Sequence, residues 1–133
     1  VREAVAGDPG VVVIAGTYAD AARVPAGPLP PRLLPLVARA AGVGGCLLDT
    51  AIKDGTRLFD WIAPEALAAL VAEAQDGGLE VALAGALSLD DLPAVRATGA
   101  DLAGVRSAAC LDGVRSAALD AQRVHELCAA CAA

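Results

Sequence analysis

One lysine occurs in this 133-residue chain against nine arginines. It is Lys53, in Leu47-Leu48-Asp49-Thr50-Ala51-Ile52-Lys53-Asp54-Gly55, where an apolar run turns polar. A guanidinium stays charged at any working pH, whereas a lysine amine can lose its proton and then attack a carbonyl or shuttle a proton. In a chain that otherwise uses arginine for positive charge, that difference marks Lys53 for chemistry. The plain alternative is a solvated lysine left in a loop. Asp49 stands four residues earlier. In a strand Leu47, Asp49 and Ala51 share a face and Lys53 continues the parity. Fully extended, Asp49 and Lys53 would be about 13 Å apart at roughly 3.3 Å per residue, so only a loop that curls back brings them together. Ile52 would then flank the site, with Asp54-Gly55 making the turn.

Two roles are open to such a lysine. A Schiff-base nucleophile must be neutral, and an amine with the reference pKa of about 10.4 is neutral in only about one molecule in 2500 at pH 7. A carboxylate nearby stabilises the ammonium form instead. The Asp49 pairing therefore favours Lys53 as a charged acid, proton carrier or phosphate contact over a free nucleophile, and a salt bridge that merely fixes the loop remains open. Gly85, Arg106 and Ser107 form a second group. They follow apolar runs as small or cationic residues follow barrel strands, where backbone N–H groups and an arginine commonly hold a phosphate. Ordinary turn chemistry with a solvated arginine is the competing reading. Tyr18 and Asp20, at a neighbouring strand end, are further candidates for substrate contact.

The elements that would position these residues repeat. Apolar runs of strand length occur at Val11 to Ala15, Gly45 to Asp49, Val81 to Ala84 and Leu102 to Val105. The first is followed by Leu33, Leu36, Val37 and Ala40 and the second by Leu67, Leu70, Val71 and Ala74, both at i, i+3, i+4, i+7. Pro64 suits a first helical turn and Gly77-Gly78 a stop. Ser88 with Asp91 resembles a capping box, Gly99 closes that short helix, and a last helix opens near Asp120. Strands buried on both faces by helices belong to parallel sheets. No Gly-x-Gly-x-x-Gly follows any of the strands, which speaks against a dinucleotide fold. The expected fold is α/β, a (β/α) barrel of TIM type. About 250 residues make eight such units, so residues 1–133 are read as one region holding four of them, a half-barrel. Val1 to Ala6 reads as helix-like, as if cut from something longer.

Composition narrows the function further. Apolar residues make up 56% of the chain, yet Phe, Trp and Tyr occur once each, so Leu, Val and Ala must build the core. A net charge of −6 with few aromatics argues against a nucleic-acid surface. No apolar stretch approaches the roughly 18 residues that span a bilayer, and the expected location is cytoplasmic. Of four cysteines, Cys128 and Cys131 fall with Val124 and Leu127 on one helical stripe near a helix end, which reads as core packing. The C-terminal end of a helix dipole disfavours a thiolate, and no second Cys pair is present for zinc. No metal site is expected.

The residues Leu48-Asp49-Thr50-Ala51-Ile52-Lys53-Asp54-Gly55, followed by Leu58-Phe59-Asp60, closely resemble the central signature of the (5-formylfuran-3-yl)methyl phosphate synthase family. Gly16-Thr17-Tyr18-Ala19-Asp20-Ala21, Leu83-Ala84-Gly85 and Gly104-Val105-Arg106-Ser107-Ala108-Ala109-Cys110 are similar to further segments of it. The chain differs by an additional Thr17 and by Ser107, where the family often has Gly. The resemblance implies a (β/α)₈ barrel that condenses two molecules of glyceraldehyde 3-phosphate into a furan phosphate for methanofuran biosynthesis, with no metal or organic cofactor. It maps the chain onto the carboxyl half of that barrel and carries Asp49 and Lys53 across as members of the catalytic cluster. The family's Schiff-base lysine and proton-accepting lysine lie in the amino half. Partners implied are a phosphosugar substrate and either a complementing amino-terminal half or an oligomer, without nucleic acid or membrane. A non-catalytic half-barrel subunit or fragment, and another Schiff-base phosphosugar aldolase, are the competing functions.

Overall fold

The computed structural model describes residues 10–25 and 27–132. The helix-like reading of Val1 to Ala6 lies outside them. Four strands, β1 (Ile14–Tyr18), β2 (Gly45–Asp49), β3 (Glu80–Leu83) and β4 (Leu102–Ala103), form one sheet in the order β1-β2-β3-β4. All neighbours run parallel, in a register that sets Tyr18 beside Asp49, Leu48 beside Leu83, and Leu83 beside Ala103. Helices α1 (Leu34–Ala41), α2 (Leu58–Trp61), α3 (Pro64–Asp76), α4 (Leu92–Ala97) and α5 (Ala121–Ala132) alternate with the strands. The chain is thus a mixed α/β structure with a four-stranded parallel sheet.

Register explains where the strands begin and end. β2 is paired on both sides and occupies the whole of its apolar run. β1 is an edge strand whose pairing starts at Ile14 opposite Gly45. Val11 and Val12 therefore stay exposed, and the strand lies three residues later than its hydrophobicity indicates. At the other edge only Leu102 and Ala103 pair with β3, so β4 is short.

One face of the sheet carries the core. Cys46, Leu48, Val81 and Leu83 point toward the helices and are at most 1% exposed. Leu34 and Ala38 from α1 and Leu67, Val71 and Ala74 from α3 pack into the same cluster. The opposite face is open, with Ile14, Tyr18 and Leu102 exposed.

Helix ends follow their local chemistry. Pro64 opens α3, and Ala63 and Gly77 flank it. The Ser88 hydroxyl and amide both donate to the Asp91 carboxylate ahead of α4. Two helical stripes differ from expectation. In α1 the buried residues are Leu34, Pro35 and Ala38, while Leu36, Val37 and Ala40 face outward. In α5 Leu127 is buried and Arg123 and Ala130 are half-buried, whereas Val124, Cys128 and Cys131 are exposed. The core reading of Cys128 and Cys131 is therefore corrected. Both helices are so rich in Ala, Leu and Val that more than one apolar stripe satisfies the 3.6-residue period, and packing selects among them.

Truncating the centre of the core tests this arrangement. Leu48→Ala is expected to cost about 2–5 kcal/mol, the range for a fully buried leucine. The midpoint of urea denaturation measures it, and a shift equivalent to less than about 1 kcal/mol would show that Leu48 is not enclosed as described.

Candidate active site

The lysine loop curls back as its chemistry requires. Lys53 Nζ lies 3.1 Å from Asp49 Oδ1 and 3.3 Å from Thr50 Oγ1, and it also donates to the Thr50 carbonyl. The three N–H bonds of an ammonium thus each have an acceptor, an arrangement that suits a charged donor.

The cause of the curl lies on another strand end. Asp20 follows β1, is fully buried, and accepts from the amides of Ala51 at 2.7 Å and Ile52 at 2.9 Å. Burial by itself would raise the Asp20 carboxyl. The two loop amides, its own amide and the Arg23 charge outweigh that effect and hold it below the usual carboxylate value. Asp20 is therefore seated as a positioning residue, with both of its oxygens engaged by the loop amides. Thr17, the additional residue in that segment, lies on the helix-covered side and donates from its hydroxyl to the Leu29 carbonyl.

The next turn is stitched down in the same way. Asp54 accepts from the Thr56 hydroxyl at 2.7 Å, from Arg23 at 2.8 Å and from the Thr56 amide at 3.1 Å, which together pull its carboxyl far below the usual range. Trp61 Nε1 donates to Thr56 Oγ1, and Arg23 lies 5.2 Å from the centre of the Trp61 ring. Further on, Arg57 pairs with Asp91, and the Leu58 amide donates to the Gly85 carbonyl at 2.9 Å. Gly85 has φ +119°, and a Cβ there would come within 3.0 Å of the Thr50 methyl and 3.2 Å of the Thr50 amide nitrogen. The close seating of the β3 end on the Thr50 loop demands glycine. Its neighbour Ala86 also adopts a left-handed φ of 52°, a conformation that costs an alanine roughly 1–2 kcal/mol.

These loops enclose a cavity of about 460 Å³ at the carboxyl ends of β2, β3 and β4. Asp49, Lys53, Gly85, Arg106 and Ser107 line it, so five of the residues singled out in the sequence come together. Tyr18 and Asp20 do not line it. Tyr18 stands beside Asp49 in the sheet register, on the same face and exposed. Three cations, Lys53, Arg106 and Arg115, face the single carboxylate of Asp49 in the wall. The cavity is cationic within a chain of net charge −6, which suits an anionic ligand.

Residues 1–128 match the family model for 4-HFC-P synthase. A (5-formylfuran-3-yl)methyl phosphate synthase of Methanocaldococcus jannaschii is 45% identical over 121 residues, covering 90% of this chain and 51% of that protein. One of Methanopyrus kandleri is 50% identical over 104 residues, 78% of this chain and 43% of its own. Another, of Methanococcus maripaludis, is 45% identical over 112 residues, with 84% and 46% covered. The chain belongs to the 4-HFC-P synthase family. It spans about half the length of the curated relatives it matches.

In this member of the family, two parts of the cavity were not evident from sequence. Thr50 supplies acceptors to Lys53 from inside the signature. Arg115 reaches the wall from a distant loop, and its only sequence signal is the Asp112-Gly113 pair just before it, a turn dipeptide like Asp54-Gly55.

Asp20→Asn is expected to destabilise the fold by about 2–3 kcal/mol at pH 7, because one loop amide then faces an NH₂ group in a buried position. The folded carboxyl is held below its unfolded value, so its stabilisation is fully present above about pH 4 and is lost as pH falls through the folded value. Urea midpoints of wild type and variant should therefore converge on acidification. A gap that stays constant from pH 7 to pH 3 would refute the charged-acceptor role.

Proposed function

We propose that this chain carries the Asp49–Lys53 acid and the phosphate-holding wall of a (5-formylfuran-3-yl)methyl phosphate synthase, a carbon–oxygen lyase of methanofuran biosynthesis. Two glyceraldehyde 3-phosphate molecules supply the six carbons of the product, and one phosphate and water are lost. The observation that carries this reading is the ammonium of Lys53, held by Asp49 at the edge of a cationic cavity, in a family whose relatives bear that name.

Eliminating phosphate or hydroxide requires a proton on the departing oxygen, and a positioned acid contributes typically about 10²–10⁴-fold. Lys53 delivers that proton, and Asp49 and Thr50 aim the ammonium and take up its charge changes. Because its three N–H bonds are already engaged, Lys53 is the acid and not the carbonyl-capturing amine. That amine comes from outside residues 1–133. Arg106, with Ser107 and Gly85 beside it, holds a substrate phosphate through a planar fork that matches its oxygens.

We read the four-stranded parallel sheet as a half-barrel of TIM type. Strands added in sequence order to one edge form a barrel wall, whereas a doubly wound sheet reverses its order at a switch point. Asp49 and Tyr18 lie on the open face together with the exposed Ile14 and Leu102. A complementary set of strands, in the same polypeptide or another, covers that face and completes the site.

The test combines trapping and turnover. Borohydride is added with glyceraldehyde 3-phosphate to this chain alone and to its mixture with a lysine-bearing amino-terminal segment, and the adduct is located by peptide mass mapping. The adduct is expected on the added segment, in the mixture. An adduct on Lys53 in the lone chain would make it the nucleophile and overturn its role as acid. In the mixture, Lys53→Arg is expected to lower formation of the furan aldehyde, followed by its near-ultraviolet absorbance, by about 10²-fold or more with the fold intact. Substantial residual activity would reduce Lys53 to an electrostatic contact.

A further inference from the structure

Arg115 is a cavity residue that the Asp49–Lys53 loop does not explain. It sits in an excursion whose neck is closed by backbone contacts. Cys110 and Leu119 form an isolated antiparallel bridge, the Leu111 amide donates to the Ala118 carbonyl at 3.0 Å, and the Asp120 amide donates to the Ala109 carbonyl at 2.9 Å. Inside the neck, Asp112 and Gly113 both take left-handed φ values, 52° and 70°, and turn the chain back over the end of β4. Gly113 and Arg115 thereby line the same cavity as Lys53 and Arg106.

A buried thiol ties the two arginine segments together. Cys110 is 0% exposed. Its Sγ donates to the Arg106 carbonyl at 3.2 Å and sits 4.0 Å from the Arg115 carbonyl. The thiol is thus wedged between the two backbones and sets their spacing.

Two other arginines of the fold have carboxylate partners. Arg23 pairs with Asp54 and Arg57 with Asp91. Arg106 and Arg115 have no carboxylate partner among the described residues, and the one carboxylate of their cavity is already bound to Lys53. A cavity shaped by a closed loop, bearing two unpaired guanidiniums, is short of negative charge. A phosphoryl group supplies it, with oxygens that suit the arginine fork.

We propose that Arg115, delivered by the loop from Cys110 to Leu119, is a second phosphate-binding residue of this site, acting with Arg106. The inference rests on the reading of the cavity as a phosphosugar site and adds to it a binding residue from a separate loop, with Cys110 as its positioning residue. The ligand class is an anion carrying a phosphoryl group, and a neutral triose would gain nothing from the pair.

Binding of inorganic phosphate to the full chain, followed by calorimetric titration, tests this apart from turnover. Arg106→Gln and Arg115→Gln are each expected to weaken phosphate binding about tenfold, as loss of a charge-assisted contact implies. Arg115→Lys should recover part of the loss, and Arg39→Gln, an exposed arginine on α1, should bind as wild type does. Thermal melting confirms that each variant is folded. If Arg106→Gln loses affinity while Arg115→Gln matches wild type, the role of Arg115 is overturned and the phosphosugar reading stands. Should wild type bind no phosphate, or should Arg39→Gln lose as much as the cavity variants, both fail.

Discussion

The site depends on a buried carboxylate that does not line its cavity. Asp20 accepts the amides of Ala51 and Ile52 and so turns the chain immediately after Thr50. An extended continuation of β2 would carry Lys53 far from Asp49, and the pair would not exist. Buried backbone amides must find acceptors, and a charged acceptor with two of them is among the stronger arrangements available. The geometry of the Asp49–Lys53 pair after β2 is therefore set by the end of β1, and the parallel register that puts Tyr18 beside Asp49 is what brings those ends together.

Around that anchor, contacts that are individually weak act by placement. The Arg23–Asp54 and Arg57–Asp91 pairs are partly exposed, and pairs open to solvent contribute roughly 0–1 kcal/mol each. Their effect is on conformation more than stability. Arg23 binds the loop after β2 to the turn after β1, and Arg57 binds it to the capping box of α4. With the Leu58 amide on the Gly85 carbonyl, the ends of β1, β2 and β3 share one set of restraints. A reacting group held from several sides loses little further freedom when substrate arrives.

How much of this was legible follows from the range of each signal. β2 and α3 were read correctly because each has neighbours on both sides and a pattern that only one packing satisfies. The signature from Leu48 to Gly55 revealed its lysine and its carboxylate because their partners lie within four residues. The edge strand β1 was placed three residues early and β4 was drawn too long, since the limits of an edge strand are fixed by its partner and not by its own valines. The stripes of α1 and α5 were shifted by a residue, since alanine-rich helices offer several equivalent faces. Asp20 and Arg115 were the least legible. Their contacts span about thirty residues of sequence in one case and reach back over a strand end in the other, and no local pattern records either.

The division of labour between cations then has a physical basis. A residue that must give up a proton has to be one whose neutral form is reachable, which excludes arginine, while a residue that must hold a dianion is better fixed in its charge and planar in its donors. The cavity contains one of the first kind and two of the second. Lys53 is tethered to a carboxylate, so its charge is balanced before any ligand arrives, while Arg106 and Arg115 carry no such partner among the described residues. A ligand with one anionic end would be drawn to the arginines and would leave Lys53 at its other end. The overall negative charge of the chain sharpens that selection, because a cationic opening stands out against a net charge of −6.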